Sequence, residues 1–228
     1  MPVIVFSSSK GGAGKTTSST LLACELARGA SVTVIDADPN RNVLDWAALP
    51  GKPDALTVIG EVTEDNIIDH IEAASAASTF VVLDLPGAAS LMNSYALSLA
   101  DLVIIPIQGS QLDAAQAARS MKMIHQQSRV AGRPIPYAVL FTRTSGAIVP
   151  RTLRHIADRL AALGVPVLAT KLYDREAYRA IFSYGGTLEG LADKGVSNLD
   201  TAIRNARAYT AEIVERLRGG SDVNAEAA

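Results

Sequence analysis

Two stretches of this chain, Val81-Val82-Leu83-Asp84-Leu85 and Leu102-Val103-Ile104-Ile105-Pro106-Ile107, run apolar residue after apolar residue with almost no polar alternation. A strand wet on one face alternates. An unbroken run belongs to a strand covered on both faces, the condition of a parallel sheet between two helix layers. Similar runs occur at Val3–Ser7, Ser31–Asp36, Leu56–Ile59, Tyr137–Thr142 and Val165–Ala169. Between them, helical spacing of apolar residues marks Lys15–Arg28, Glu64–Ala74, Ser90–Leu99, Leu112–Ala131 and Pro150–Leu163, with Gly29 and Gly164 placed to stop two of these helices. A last helix is expected from Leu199 to about Arg218. Strand and helix in alternation predict an α/β fold: a doubly wound, mostly parallel sheet with helices on both faces and right-handed crossovers. Residues 1–218 read as a single domain, and the small, polar tail 219–228 as disordered.

Composition narrows the classes. Apolar residues make up 48% and aromatics only 5%, so small aliphatic side chains do most of the packing. The one cysteine, Cys24, excludes an internal disulfide and argues against a cysteine metal site. The apolar run at the start has no basic segment before it and reads as a strand rather than a signal peptide. With no stretch near the roughly 20 apolar residues of a membrane span, a cytoplasmic protein is expected. Charge is uneven: residues 1–118 hold 5 Lys/Arg against 13 Asp/Glu, and residues 119–228 hold 16 against 10. That asymmetry hints at a polyanion-facing surface in the second half.

The sharpest motif is Ser9-Lys10-Gly11-Gly12-Ala13-Gly14-Lys15-Thr16-Thr17, placed after a strand and before a helix. Glycines let successive backbone N–H groups turn toward phosphate oxygens, and the helix that follows adds its positive end. Lys15 sets a charge against β- and γ-phosphates, and the Thr16 hydroxyl suits Mg²⁺. The ordinary phosphate-loop pattern would need glycine at position 9; here Ser9 stands there and a lysine follows. The run KGGAGKTT resembles the deviant Walker A motif of the ParA/MinD family of ATPases. The resemblance implies a P-loop fold and a nucleotide-sandwich homodimer, in which Lys10 reaches the partner's phosphates and neutralises charge developing in phosphoryl transfer.

The strand ending at Asp36 continues Ala37-Asp38-Pro39-Asn40, and strand ends are where open α/β sheets gather their ligands. The family carries a similar D-x-D-P element. By that resemblance Asp38 orients or activates the attacking water and Asp36 holds Mg²⁺ through a water; the competing reading makes Asp38 or Asn40 the cap of a helix over Arg41–Ala48. Asp84, closing Val81-Val82-Leu83-Asp84, has the Walker B pattern and suits Mg²⁺, and Gly87 lets a backbone N–H approach the γ-phosphate. On the base side the resemblance points to Thr142-Arg143, with Thr where the family has Asn, and to Tyr173 and Asp174 in a covering segment Lys171–Arg175. Adenine follows from the resemblance, and the guanine-reading N-K-x-D pattern is absent. His70, His125 and His155 are scattered and read as structural.

The likeness is strongest to small plasmid partition ATPases and to the ParA-like protein of T-DNA transfer, which shares a segment similar to Tyr173–Tyr178. It implies a DNA-segregation ATPase. ATP and Mg²⁺ close the homodimer, the dimer binds nonspecific double-stranded DNA on the nucleoid, and a ParB-like or other partner stimulates slow hydrolysis to ADP. Candidate DNA contacts are Arg119, Lys122 and Arg129, within about 80° on one helix face, and Arg204, Arg207 and Arg218, within about 60° on the last helix. Arg133 and the pair Arg151 and Arg154 lie nearby in sequence. A positioning ATPase not acting through DNA segregation is the alternative. A MinD-like membrane switch is disfavoured by the polar end GGSDVNAEAA, and an iron-protein reductase by the single cysteine.

Overall fold

The computed structural model describes residues 1–9, 11–87, 90–146 and 150–225, with side chains omitted at 111–114 and 220–225. Six strands, β1 (Val3–Phe6), β2 (Val32–Asp36), β3 (Leu56–Ile59), β4 (Phe80–Asp84), β5 (Leu102–Ile107) and β6 (Tyr137–Phe141), form one sheet in the order β3-β2-β4-β1-β5-β6. Every pairing is parallel. Among the described residues eight α-helices accompany them: α1 (Lys15–Leu26), α2 (Asn42–Ala48), α3 (Ile67–Ala77), α4 (Leu91–Ser98), α5 (Gln111–Ala131), α6 (Arg151–Ala162), α7 (Glu176–Tyr184) and α8 (Leu199–Ala225). Among the described residues no helix is long and apolar enough to cross a membrane.

The unbroken runs are buried on both faces, as their composition requires. Ile4, Phe6, Val34, Val82, Ile104 and Leu140 face a layer that includes Leu22 of α1, Trp46 of α2, Ile181 of α7 and Tyr209 of α8. Their neighbours Val5, Ile35, Leu83, Val103 and Phe141 face the other layer, with Ile71 of α3, Leu97 of α4, Ile124 of α5 and Ile156 of α6. The chain leaves β1 toward β2, and it leaves β4 in the opposite direction, toward β5. The switch point of the sheet therefore lies between β1 and β4, and register aligns Phe6 with Asp84 and Asp36 with Asp84 at that edge.

Five features depart from the sequence expectation. Val165–Ala169 is not a strand: only a parallel bridge joins Val167 to Val139, and Pro166, which has no N–H to give a ladder, offers its carbonyl instead. Helix α8 continues to Ala225 rather than stopping at Arg218, because two glycines weaken a helix without breaking it and no proline follows. Helix α7 falls in a stretch where the periodicity was not read as helical, and the segment Arg41–Ala48, offered only as a competing reading, does form α2. Gly164 ends α6 in the left-handed region at φ 66° as expected, whereas Gly29 is not left-handed and α1 closes through ordinary turns.

Two segments meet tightly where α2 and α7 end. Gly185 (φ 79°) and Gly186 (φ 68°) lie against Leu49, Pro50 and Gly51, and a Cβ on Gly185 would stand 2.6 Å from the Pro50 carbonyl oxygen. Gly185→Ala thus meets both a disfavoured backbone and a fixed obstacle. It should cost about 2 kcal/mol, a fall in melting temperature of about 4–8 °C by thermal denaturation.

Candidate functional site

The loop after β1 is held open from outside. Thr142 Oγ1 donates to the Ala13 carbonyl at 2.7 Å, and Gln108 Nε2 donates to the Gly12 carbonyl at 2.6 Å. Peptides here are all trans, so a carbonyl drawn outward turns the next residue's N–H the other way, toward the loop's hollow. Gly12 (φ 77°) and Gly14 (φ 93°) supply the left-handed backbone this needs. Gly14 caps α1 with no side-chain hydrogen bond, and the first turn of α1 carries no acidic residue, so its N–H groups are left for an anion. Ser9 Oγ donates to Gln116 Oε1 at 2.5 Å, which ties the loop's entrance to α5. Lys10 lies outside the described residues, while Lys15 is buried and lines the cleft.

The three aspartates have three different environments. Asp84 is fully buried, and its Oδ2 accepts from Thr16 Oγ1 at 2.6 Å. Its Oδ1 has no hydrogen-bond partner. Burial pushes this carboxyl up to about 7, against the pull of the Thr16 hydroxyl and the Lys15 charge. An orphaned hard oxygen beside a threonine hydroxyl fits Mg²⁺, so Thr16 and Asp84 are the residues that would hold it. Asp36 is different: its Oδ2 accepts from the backbone N–H of Val43 at 2.9 Å and of Leu44 at 3.0 Å. Its Oδ1 accepts from Asp38 N at 3.3 Å, so the oxygens expected to face a metal-bound water face backbone instead. Burial still raises the Asp36 carboxyl above its ordinary value, opposed by these N–H groups. Asp38 is half-buried on the cleft wall, with Oδ1 accepting from Asn40 N and Asn40 Nδ2, both at 2.9 Å.

A cleft of about 770 Å³ joins these parts. Gly11, Gly12, Gly14, Lys15, Thr16 and Thr17 line it, together with Asp38, Pro39 and the α2 residues Asn42 and Asp45. Pro86, Gly87 and Arg143 also line it. Beyond Thr17 a small cavity of about 30 Å³ is bounded by Thr142, Arg143, Tyr173, Asp174 and Arg175, bringing together the residues expected on the base side. Four of these side chains, those of Thr142, Tyr173, Asp174 and Arg175, are already engaged. The Thr142 hydroxyl serves the phosphate loop, because the shorter threonine reaches Ala13 where an amide would extend further. Arg175 packs over the Tyr173 ring at 5.3 Å, and Asp174 pairs with Arg179. The sequence reading passes over Gln108 and Gln116; Gln108, a polar residue directly after β5, offers a local signal, whereas Gln116, inside α5, offers none.

The basic residues divide as well. Arg119, Lys122 and Arg129 are exposed along α5, and Arg204 and Arg218 along α8. Arg207 is paired with Glu189 at 2.7 Å and Glu25 at 3.6 Å, so a carboxylate pair on the neighbouring elements already neutralises it. Arg133 donates to the carbonyls of Ser98 and Ala100 and joins α5 to the end of α4. Cys24 is buried in the core, its thiol pushed up to about 12 by burial. His125 stacks edge-on against Tyr137, and among the described residues no cluster of His, Cys, Asp and Glu could hold a metal.

Comparison with known proteins places this geometry. A family model described as VirC1 protein matches residues 1–218. The chain is 40% identical over 218 residues to Protein ParA of Rhizobium radiobacter, covering 95% of this chain and 98% of that protein. In fold it is similar to an Asp-to-Ala variant of Cyanothece McdA in complex with ATP (TM-score 0.71, 16% identity, 91% of this chain and 95% of that one). It is also similar to the MinD cell division protein of Aquifex aeolicus (TM-score 0.70, 17% identity, 94% and 98%).

The outward pull on the loop can be removed without changing its shape. Thr142→Val keeps the side-chain volume and loses the bond to Ala13. It should weaken binding of a fluorescent ATP analogue about five- to tenfold in equilibrium titration, with the melting temperature of the free protein changed little.

Proposed function

The chain belongs to the VirC1 family of ParA/MinD-type P-loop proteins, and from that premise we propose that it binds and slowly hydrolyses ATP with Mg²⁺ and couples this to dimerisation on DNA, as a segregation or positioning ATPase. The observation that carries the reading is the junction at the switch point: an anion-ready loop and helix end, buried Lys15, and the Thr16–Asp84 pair with one carboxylate oxygen left over. Inward N–H groups of the loop and the α1 terminus take the phosphate oxygens. Lys15 sits against the charge that grows toward the leaving ADP in the transition state. Bound Mg²⁺ would supply further charge neutralisation at the phosphates. Asp38, which lines the same cleft as Lys15, is the candidate that orients or activates the attacking water. Gly87 borders the same space and offers a backbone N–H to the γ-phosphate, and Arg143, Tyr173 and Asp174 are the candidates for the base side, where the cavity of about 30 Å³ would have to widen to admit a base.

The two-lysine loop supports a sandwich dimer in which Lys10 of each copy serves the other's phosphates. Exposed Arg119, Lys122 and Arg129 on α5, with Arg204 and Arg218 on α8, support contact with DNA phosphates; such contacts carry no sequence information and weaken steeply with salt. Arg207 contributes less, being held by Glu189 and Glu25. The relative named Protein ParA and the more distant relative named Maintenance of carboxysome distribution protein A, of Halothiobacillus neapolitanus, support a role in positioning a cargo, with a ParB-like or other partner stimulating hydrolysis and release in the cytoplasm.

Lys15→Ala and Lys10→Ala should each abolish ATP-dependent binding to double-stranded DNA, read by fluorescence anisotropy at fixed salt. Light scattering should find wild type dimeric with ATP and Mg²⁺. Either variant binding DNA like wild type, or a strictly monomeric nucleotide-saturated protein, overturns the reading.

A further inference from the structure

We propose that Asp36 is a positioning residue: its carboxylate pins the first turn of α2 to the end of β2 and so sets where Asp38 stands in the phosphate cleft. The inference deepens, and rests on, the reading of that cleft as an ATP-hydrolysing site. Val43 and Leu44, whose N–H groups Asp36 receives at 2.9 and 3.0 Å, are the second and third residues of α2. The residue at the cap position, Arg41, gives the helix no side-chain hydrogen bond, so Asp36 does the work of a cap from further back along the chain.

Between Asp36 and Val43 the backbone must double back. That turn holds Asp38, Asn40 bonded to it, and Arg41 at φ 51°, a left-handed conformation that side-chain-bearing residues resist. The same carboxylate ties both ends of the turn, through Asp38 N on one side and Val43 and Leu44 on the other. At the far end of α2, the Trp46 indole N–H donates to the Gly186 carbonyl at 3.1 Å. Helix α2 is thus fixed at both ends, with Asn42 and Asp45 presented along the cleft. The shorter of these bonds commit Oδ2 of Asp36 to the chain, whereas neighbouring Asp84 keeps an oxygen without a hydrogen-bond partner. Two aligned strand-end carboxylates divide the labour: one serves the metal, the other the chain.

Trp46 is the one tryptophan of the sequence and sits on α2 at 1% exposure, so its fluorescence reports this helix directly. In nucleotide-free protein, Asp36→Ala should raise iodide quenching of Trp46 about threefold, and Asp36→Asn, whose amide oxygen still accepts N–H groups, should keep it shielded. With MgATP, Asp36→Ala should lose at least about tenfold in kcat while ATP affinity stays within about threefold. Asp36→Asn, whose single amide oxygen keeps the tie to α2 while its NH2 cannot accept from Asp38 N, should recover part of that loss without moving the Mg²⁺ midpoint. If Asp36→Asn instead matches Asp36→Ala in rate and shifts the Mg²⁺ midpoint, or if Asp36→Ala leaves quenching and rate at wild-type values, the inference is wrong. Should Asp36→Ala not fold, quenching and the Mg²⁺ midpoint of Asp36→Asn decide alone. A wild type that neither binds nor hydrolyses ATP would sink the functional reading, and the quenching would still report whether Asp36 holds α2.

Discussion

The cleft depends on two hydrogen bonds that draw the carbonyls of Gly12 and Ala13 away from it. Without Gln108 and Thr142 the glycine-rich loop has many conformations of similar energy. With them the Gly12 and Ala13 carbonyls are fixed, and the N–H groups of Ala13 and Gly14, trans to those carbonyls, are directed away from Gln108 and Thr142. Both partners come from the ends of the strands β5 and β6, on the side of β1 away from the aspartates. The loop is therefore suspended between elements that only the assembled sheet brings together, and its readiness for an anion is a property of the folded sheet.

On the other side of β1 the same edge collects carboxylates, and burial sorts them. Asp84 is sealed in with one oxygen that has no hydrogen-bond partner, a costly arrangement that a bound divalent cation would relieve. Asp36, one strand over, is satisfied by backbone N–H groups. Asp38, past the strand end, remains half-exposed beside the phosphate wall. Residues of one chemical type thereby acquire separate tasks through the partners that the fold gives them.

The surface shows the same sorting of like residues. Helical spacing groups Arg204, Arg207 and Arg218 on one face, but Arg207 is drawn into contact with Glu189, whose 3-10 turn (Glu189–Leu191) packs beside α8. Arg133 reads as one more charge after α5 and is used to close carbonyls at the end of α4. Long basic side chains reach whichever acceptor the neighbouring element offers, and periodicity along one helix carries no information about its neighbours.

From the sequence alone came the alternation of two-face-buried strands with helices, the phosphate loop in its strand-to-helix setting, and the three aspartates near strand ends, because each is written in local pattern and spacing. The seventh strand failed where a proline left only one bridge, and α7 passed unread among short apolar groups. What the tertiary structure alone decided is which partner each polar group meets: Thr142 on Ala13 rather than free for a base, Asp36 on the N–H groups of α2, Asp84 on Thr16 with an oxygen to spare. Those pairings join residues brought together from distant strands and turns, and hydrogen-bond satisfaction inside a packed interior is settled by that proximity.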